Sequence, residues 1–379
     1  MTTRSDVIVL GTGGVGSAAL FHLAQRGVKA LGIDRFPPAH DRGSSHGESR
    51  MIRLSYFERP DYVPLLRRAY DLWDEQGKLR GRNLFHRTGL VYFGDPDGVI
   101  LSGIRRSAVA HGLEIEEPSI DEARRRFPGF VPSEGAGALF EANAGYLLVE
   151  DCVRAQIEEA ARHGARHVHG ETALHWTATS SGVVVETDKG SHEAGSLIVT
   201  AGCWAGGLLK NLGLRLRVLR KHLHWFATDG DIHSEPKGCP CFFFETGDGF
   251  FYGFPDRGGA GVKIAEHSGG REIENPLLDS REPDPEDNAR IEAFLQNHLP
   301  GVSSHRKRHE VCFYTMSPDE HFIVDRHPEH ANVCFSAGLS GHGFKFASVL
   351  GEALADLALK DKTRADIGFL RLDRPGLKD

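Results

Sequence analysis

Asp6-Val7-Ile8-Val9-Leu10-Gly11-Thr12-Gly13-Gly14-Val15-Gly16 reads as a buried strand running directly into a glycine-rich turn. Ser17 to Arg26 then place Ala18, Ala19, Leu20, Leu23 and Ala24 at near-helical spacing, with Gly27 where a helix C-terminus takes glycine. Val28 to Ile33 form a second apolar run, so the segment is a βαβ start. A Gly-x-Gly-x-x-Gly turn in this setting suits a pyrophosphate. Gly11 permits the tight turn, Gly13 lets the backbone approach the phosphates, and Gly16 lets helix and strand pack closely. Asp34 ends the second strand, where a carboxylate accepts from ribose hydroxyls and favours FAD or NAD over NADP.

Outward from this unit the pattern stays α/β. Arg87 to Gly94 reads as a strand, Val149 to His163 as a helix, and 183–187 and 197–200 as two further strands. From Arg217 to Gly261 the chain turns aromatic and β-rich, predicting an antiparallel sheet of a second domain. Residues 270–290 are charged, contain Pro276, Pro283 and Pro285, and read as a surface connection; a last helix is expected over roughly 346–360. The expected fold is α/β (α+β overall). A discontinuous Rossmann-type nucleotide domain comprises 1–82, 146–216 and 312–379, and a second, antiparallel-sheet substrate domain comprises 83–145 and 217–311.

The 379 residues carry 45 Lys+Arg against 52 Asp+Glu, a net charge of −7, which disfavours nucleic acid as a partner. No apolar run approaches the roughly 20 residues of a membrane span. The run Val7 to Leu10 passes straight into glycines, unlike a signal peptide, so a cytoplasmic protein is expected. Six sparse cysteines, Cys152, Cys203, Cys239, Cys241, Cys312 and Cys334, fit a reducing compartment. Cys239 and Cys241 lack a second cysteine pair, and the histidine pairs 222/224, 305/309 and 327/330 lack a third ligand at a recognisable spacing, so no metal is expected. His305 to His309 reads as a solvated basic face.

Gly43-Ser44-Ser45-His46-Gly47-Glu48-Ser49-Arg50-Met51-Ile52-Arg53 is polar and glycine-bounded. If it is helical after Gly47, Arg50 and Arg53 share a face, where they could neutralise an anionic cofactor edge and clamp a carboxylate.

Four separated motifs together resemble the monomeric sarcosine oxidase and N-methyltryptophan oxidase family of FAD-dependent amine oxidases, in the D-amino acid oxidase-like superfamily, over nearly the whole chain. They are Gly11 to Gly16 with Asp34; Ser44 to Arg53 with Tyr62-Val63-Pro64-Leu65; Tyr252-Gly253-Phe254-Pro255 through Lys263 and His267; and Cys312-Phe313-Tyr314-Thr315 through Asp319-Glu320-His321-Phe322 to Ser340-Gly341-His342-Gly343-Phe344-Lys345. The resemblance implies FAD, joined by a thioether from Cys312 to the flavin 8α-methyl. It implies cofactor contacts from Gly11, Gly13, Gly14, Val15, Gly16, Asp34, Ser44, His46, Arg50, Gly341, His342, Gly343, Phe344 and Lys345. Arg53 and Lys345 match the pair that holds a substrate carboxylate. Lys263 matches a lysine over the flavin ring that assists oxygen, and Tyr252 and His267 map to the substrate pocket. Backbone N–H groups of His342-Gly343-Phe344 are expected at the flavin pyrimidine edge.

The implied activity is oxidation of a secondary amine (sarcosine, an N-methyl amino acid or a related imino acid), imine hydrolysis and reduction of O2 to H2O2, by a monomer. A flavin-dependent amino acid dehydrogenase, or a D-amino acid or deglycating oxidase of the same fold, is the alternative. Ser45 stands where sarcosine-oxidising members often have a second histidine, and Phe243 where they can have methionine. Phe242-Phe243-Phe244 and Phe250-Phe251 could line an aromatic pocket for a larger side chain, with strand alternation sending only some inward.

Overall fold

A computed structural model describes residues 4–360 and 362–377. The outermost residues of the expected domain spans, 1–3 and 378–379, and Asp361 lie outside the described residues.

The opening segment forms the centre of an eight-stranded sheet. Ser5–Leu10 pairs in parallel with Ala30–Asp34 on one side and Gly190–Val199 on the other, and Arg166–His169, Val333–Ala337 and Ile323–Arg326 extend the sheet outward. Ala173–Thr179 and Gly182–Thr187 branch from Gly190–Val199 as an antiparallel meander. Val7, Val9, Ala30 and Ile198 pack under the helices Gly14–Gln25, Tyr62–Arg80, Val149–Arg162 and Ala347–Lys360. Gly16 is fixed by this packing, because a Cβ there would lie 1.8 Å from the Gly11 carbonyl oxygen.

A second eight-stranded sheet runs Arg271–Ile273, Arg217–Thr228, Val262–Glu266, Gly249–Phe254, Cys241–Thr246, Leu90–Gly94, Gly137–Glu141. It is antiparallel except where Cys241–Thr246 meets Leu90–Gly94. Val302–Met316 lies along Arg217–Thr228 and pairs from Thr228↔Val302 to Arg217↔Met316. The 311/312 boundary expected from sequence falls inside that strand, so Cys312 sits on the second sheet. The 145/146 boundary falls inside Gly145–Leu148, which joins Ser49–Ile52 and Phe85–His86 in a three-stranded sheet between the large ones.

Two local expectations are corrected. After Gly47 the chain is a strand, not a helix: Gly47 and Glu48 take φ of +84° and +71°, and Ser49–Ile52 then pairs with Gly145–Leu148. Residues 270–290 are not a plain connection, since Arg271–Ile273 is an edge strand and Pro285–His298 is a helix. Asp284 caps that helix through Glu286 and Asp287 N–H, with Pro285 in its first turn.

Candidate active site

A cleft open to solvent runs from the glycine turn between the two large sheets. Gly11, Gly13, Gly14, Val15 and Asp34 line one end; Arg50, Arg53, Phe243, Tyr252, His267, Cys312 and Lys345 line the other. Ser44 and the Gly341 to Phe344 turn lie along its wall. Gly341 has φ +81° and passes so close to Tyr314 that a Cβ would meet the ring at 2.4 Å, so only glycine fits there.

The turn is braced by its own chain. Asp34 Oδ2 accepts from Thr12 N at 2.6 Å and Thr12 Oγ1 at 3.1 Å, and Oδ1 accepts from Phe36 N at 3.0 Å, so this carboxylate shapes the turn as well as facing the cleft. Ser45 Oγ accepts from Gly14 N at 3.0 Å, a contribution the sequence reading gave only as a departure from relatives. Glu150, also unread, accepts from Gly47 N at 2.7 Å and Glu48 N at 3.0 Å and holds the positive-φ corner before Arg50. Ser44 donates to Phe313 O at 2.6 Å.

At the far end two cations converge. Arg53 Cζ lies 4.8 Å from the Tyr56 ring centroid and Lys345 Nζ lies 5.3 Å from it. Arg53 Nη2 donates to both Glu58 oxygens, at 2.9 and 3.0 Å, and its buried Nε has no partner. Lys345, buried, donates to His342 O at 2.9 Å, and burial followed by the Arg53 charge holds its ammonium well below the ordinary lysine range. Glu58 was not singled out from sequence; it becomes visible only when the turn after Arg53 folds back.

Cys312 is buried on the cleft wall, with Arg50 Nη2 3.2 Å from its sulphur. Burial opposes ionisation of this thiol, but the Arg50 guanidinium, His46 and Lys263 bring it down to about 6. The other five cysteines are free and buried, and burial pushes their thiols up. Tyr252 and His267 line the cleft beside Phe243. Burial drives the His267 ring down to about 3, and its Nδ1 lies 3.3 Å from Tyr314 Oη. Lys221 supports this wall from behind, donating to the carbonyls of His267, Ser268 and Gly269 at 3.2, 2.6 and 3.2 Å.

Some expected residues stand elsewhere. Lys263 does not line the cleft; its Nζ donates to Gly47 O at 2.6 Å and Ser49 O at 2.7 Å, between Trp225 and Phe254. His46 lies behind Cys312 rather than on the cleft. The His342 N–H is taken by Leu339 O at 3.1 Å and so is not offered to a ligand. Of the aromatic runs only Phe243 reaches the cleft. Phe242, Phe244 and Phe251 point through the sheet to pack on Phe294, the alternation that a strand imposes. The basic run at 305–309 is not wholly solvated either, since His309 Nε2 meets His222 Nδ1 at 2.8 Å.

His327, Glu329 and His330 bring three ligand-type atoms together, although the spacing of Glu329 between the two histidines does not read as that of a metal ligand. Asn211 Nδ2 lies 2.8 Å from His327 Nε2.

The model of the DAO family, FAD dependent oxidoreductase, matches residues 6–357. The chain belongs to this family. It is 40% identical to the monomeric sarcosine oxidase of Bacillus sp. (strain B-0618), over 100% of this chain and 98% of that protein. It is 37% identical to the N-methyl-L-tryptophan oxidase of Yersinia pestis (strain Pestoides F), over 97% and 99% respectively. Among solved structures it superposes on the open form of NikD, an amino acid oxidase essential for nikkomycin biosynthesis, with a TM-score of 0.87, 25% identity and 98% coverage of each chain. The expected α/β fold and FAD dependence are those of the DAO family. Among the described residues no helix is long and apolar enough to cross a membrane. The residues present fit FAD, because bare backbone at Gly13 and Gly14 meets the cleft at a helix N-terminus and the cleft continues unbroken to Cys312 and Lys345.

Proposed function

We propose that this DAO-family protein oxidises secondary amino acids, with an N-methyl amino acid such as sarcosine as the substrate class and O2 as acceptor. The observation that carries the reading is the convergence of Arg53 and Lys345 on one end of the cleft, across from Arg50 and Cys312. FAD, when bound, supplies the two-electron acceptor for the carbon–nitrogen bond and returns those electrons to oxygen as H2O2.

The chain's own residues bind and orient. Arg53 and Lys345 take the substrate carboxylate, which replaces or shares Glu58 on Arg53 and offsets the burial of the Lys345 ammonium. His267, held neutral by its burial, and Tyr252 face the amine without adding positive charge beside it, which favours the uncharged amine that oxidation requires. Phe243 bounds the side-chain space. Arg50 and Cys312 set the attachment point, and we assign covalent linkage to the Cys312 sulphur. The chain is assigned to a reducing, cytoplasmic setting, as a monomer.

Acid precipitation of the purified protein tests the linkage. Flavin stays in the pellet of wild type and moves to the supernatant in Cys312→Ser; wild-type flavin released by acid removes the covalent assignment. Peroxide release from N-methyl and cyclic amino acids under air tests the oxidase. Anaerobic bleaching with no peroxide on readmitting air would instead identify a dehydrogenase.

A further inference from the structure

Tyr56 is fully buried where the two cations at the far end of the cleft meet. The Arg53 guanidinium carbon stands 4.8 Å and the Lys345 ammonium 5.3 Å from the centroid of its ring. Three contacts fix how that ring stands. Ser107, on the helix Val99–His111, donates to the Tyr56 carbonyl oxygen at 2.5 Å, and Phe346 meets the ring edge-on with centroids 5.3 Å apart. At the ring tip the hydroxyl bonds to His342 Nδ1. His342 Nε2 lies 3.0 Å from the Glu320 carbonyl oxygen, which can only accept, so Nε2 carries the imidazole proton and Nδ1 accepts from the Tyr56 hydroxyl. The His342 carbonyl oxygen accepts from Lys345 Nζ at 2.9 Å. His342 therefore aims the ring with its imidazole and holds Lys345 with its main chain.

We propose that Tyr56 is a positioning residue for the carboxylate pair, its ring face holding Arg53 and Lys345 together before any substrate arrives. The inference rests on the reading of those two cations as the carboxylate site. Two like charges brought to one end of a buried cleft repel each other, and after burial the Arg53 charge acts most strongly against the Lys345 ammonium. Glu58 bonds Arg53, whereas Lys345 bonds the neutral carbonyl of His342. An aromatic face offers a cation negative charge density without a formal charge, and does so most strongly where water is excluded. A carboxylate in the place of Tyr56 would compete with that of the substrate. A ring face cannot neutralise the pair, so the net positive charge is kept for the incoming ligand. Phe57 lies 4.8 Å from Arg53 Cζ and Phe346 5.8 Å from Lys345 Nζ, but of the three rings Tyr56 alone is shared by both cations. The other charges that bear on Lys345 are Glu58 and Arg50.

Three forms of the flavin-loaded full chain are compared: wild type, Tyr56→Phe, and position 56 filled with pentafluorophenylalanine, which keeps the shape of phenylalanine and reverses the charge of its face. Thermal melting shows that each is folded. The first readout needs no ligand. Acetylation by acetic anhydride, mapped to Lys345 and followed against pH, gives the ionisation midpoint of its amine. Tyr56→Phe should keep most of the wild-type midpoint, and the fluorinated ring should lower it by about one pH unit. The second readout is the Kd, from flavin absorbance, of methoxyacetate and of methoxyacetamide. Both replace the oxidisable amine of sarcosine by an ether oxygen, and only the first carries a carboxylate. Relative to Tyr56→Phe, the fluorinated ring should weaken methoxyacetate about tenfold and leave methoxyacetamide unchanged. A midpoint equal in Tyr56→Phe and the fluorinated form overturns the proposal, as does a methoxyacetate affinity that does not fall relative to that of methoxyacetamide. Wild type binding the two ligands alike would instead defeat the carboxylate reading of the cleft, leaving the Lys345 midpoint to decide whether Tyr56 holds the cations.

Discussion

Replacing Lys221 by methionine should weaken substrate binding in a protein that still folds. The Lys221 ammonium is 4% exposed, and burial, only partly opposed by Glu266 and Asp287, brings it down to about 8 from the ordinary 10.5. At neutral pH the fold therefore carries a penalty of about 3 kcal/mol for keeping this charge inside. What the charge holds is the turn after Glu266, through the three carbonyls of His267, Ser268 and Gly269. Lys221→Met removes the penalty together with those hydrogen bonds, each worth about 1.5–3 kcal/mol. The half-buried and exposed backbone at 267–269 takes up water in their place. At the low end of that range the three bonds outweigh the relieved penalty by about 1.5 kcal/mol, so Tm should fall by about 3–6 °C. His267, however, loses its tether at the cleft, and KM for the amino acid should rise about tenfold or more, since displacements of about 1 Å can cost about 100-fold.

The pH dependence carries a sign that separates positioning from bulk stability. Because the folded-state value lies below the unfolded one, this group makes the protein more stable as pH climbs from about 8 to 10.5. Over the start of that same window wild-type KM should climb, with a midpoint near 8, as the ammonium becomes an amine with fewer and weaker donors. In Lys221→Met that KM step is absent. Steady-state kinetics from pH 6.5 to 9.5, with melting curves alongside, make the measurement. An unchanged KM at pH 7, or a KM step that survives in the variant, refutes the assignment.

Three further outcomes are expected. Glu58→Gln leaves the Arg53 guanidinium buried without its counter-charge, so the ligand-free protein should lose about 3 kcal/mol in denaturant melts, whereas a small carboxylate inhibitor should bind about tenfold more tightly; weaker inhibitor binding would mean Glu58 positions Arg53 rather than competing for it. Lys263→Met should slow flavin reoxidation much more than reduction in stopped-flow traces, and equal slowing would confine Lys263 to holding the Gly47 and Ser49 carbonyls. Phe243→Ala should raise kcat/KM for bulky N-methyl amino acids relative to sarcosine in a peroxide assay; a parallel loss for both substrates would make Phe243 a packing residue.

The nucleotide half was legible because its signals are local. The glycine turn, the helix behind it and Asp34 lie within one short segment, and the chemistry of a pyrophosphate site dictates their order. Cys312, Arg53 and Lys345 were legible through motif resemblance, and the cleft brings all three together. What could not be read was any contact made by folding distant segments against each other. Glu310 on His46, Lys221 under His267 and Ser45 on the Gly14 N–H leave no periodic trace, and Glu58 reaches Arg53 only through the local turn between them. The helical reading of Arg50 and Arg53 failed because positive φ at Gly47 and Glu48 and a partner strand outweigh local spacing. Helix Pro285–His298 had an N-terminal signature in Asp284-Pro285-Glu286-Asp287, but the surrounding prolines and charges read as loop. Lys263 stands in the expected strand, and its bonds to the Gly47 and Ser49 carbonyls are contacts its position in the sequence could not show.

The location of Cys312 on the second sheet has a mechanical consequence. A thioether there would make the cofactor a crosslink, its phosphates seated at the helix N-terminus of one sheet and its ring bolted to the longest strand of the other. Any motion that parts the two sheets would then have to stretch the ligand itself. Loading with flavin should therefore fuse two cooperative units into one, narrowing the unfolding transition and suppressing proteolysis at the joints between the sheets, and a single sulphur-to-oxygen exchange would undo it.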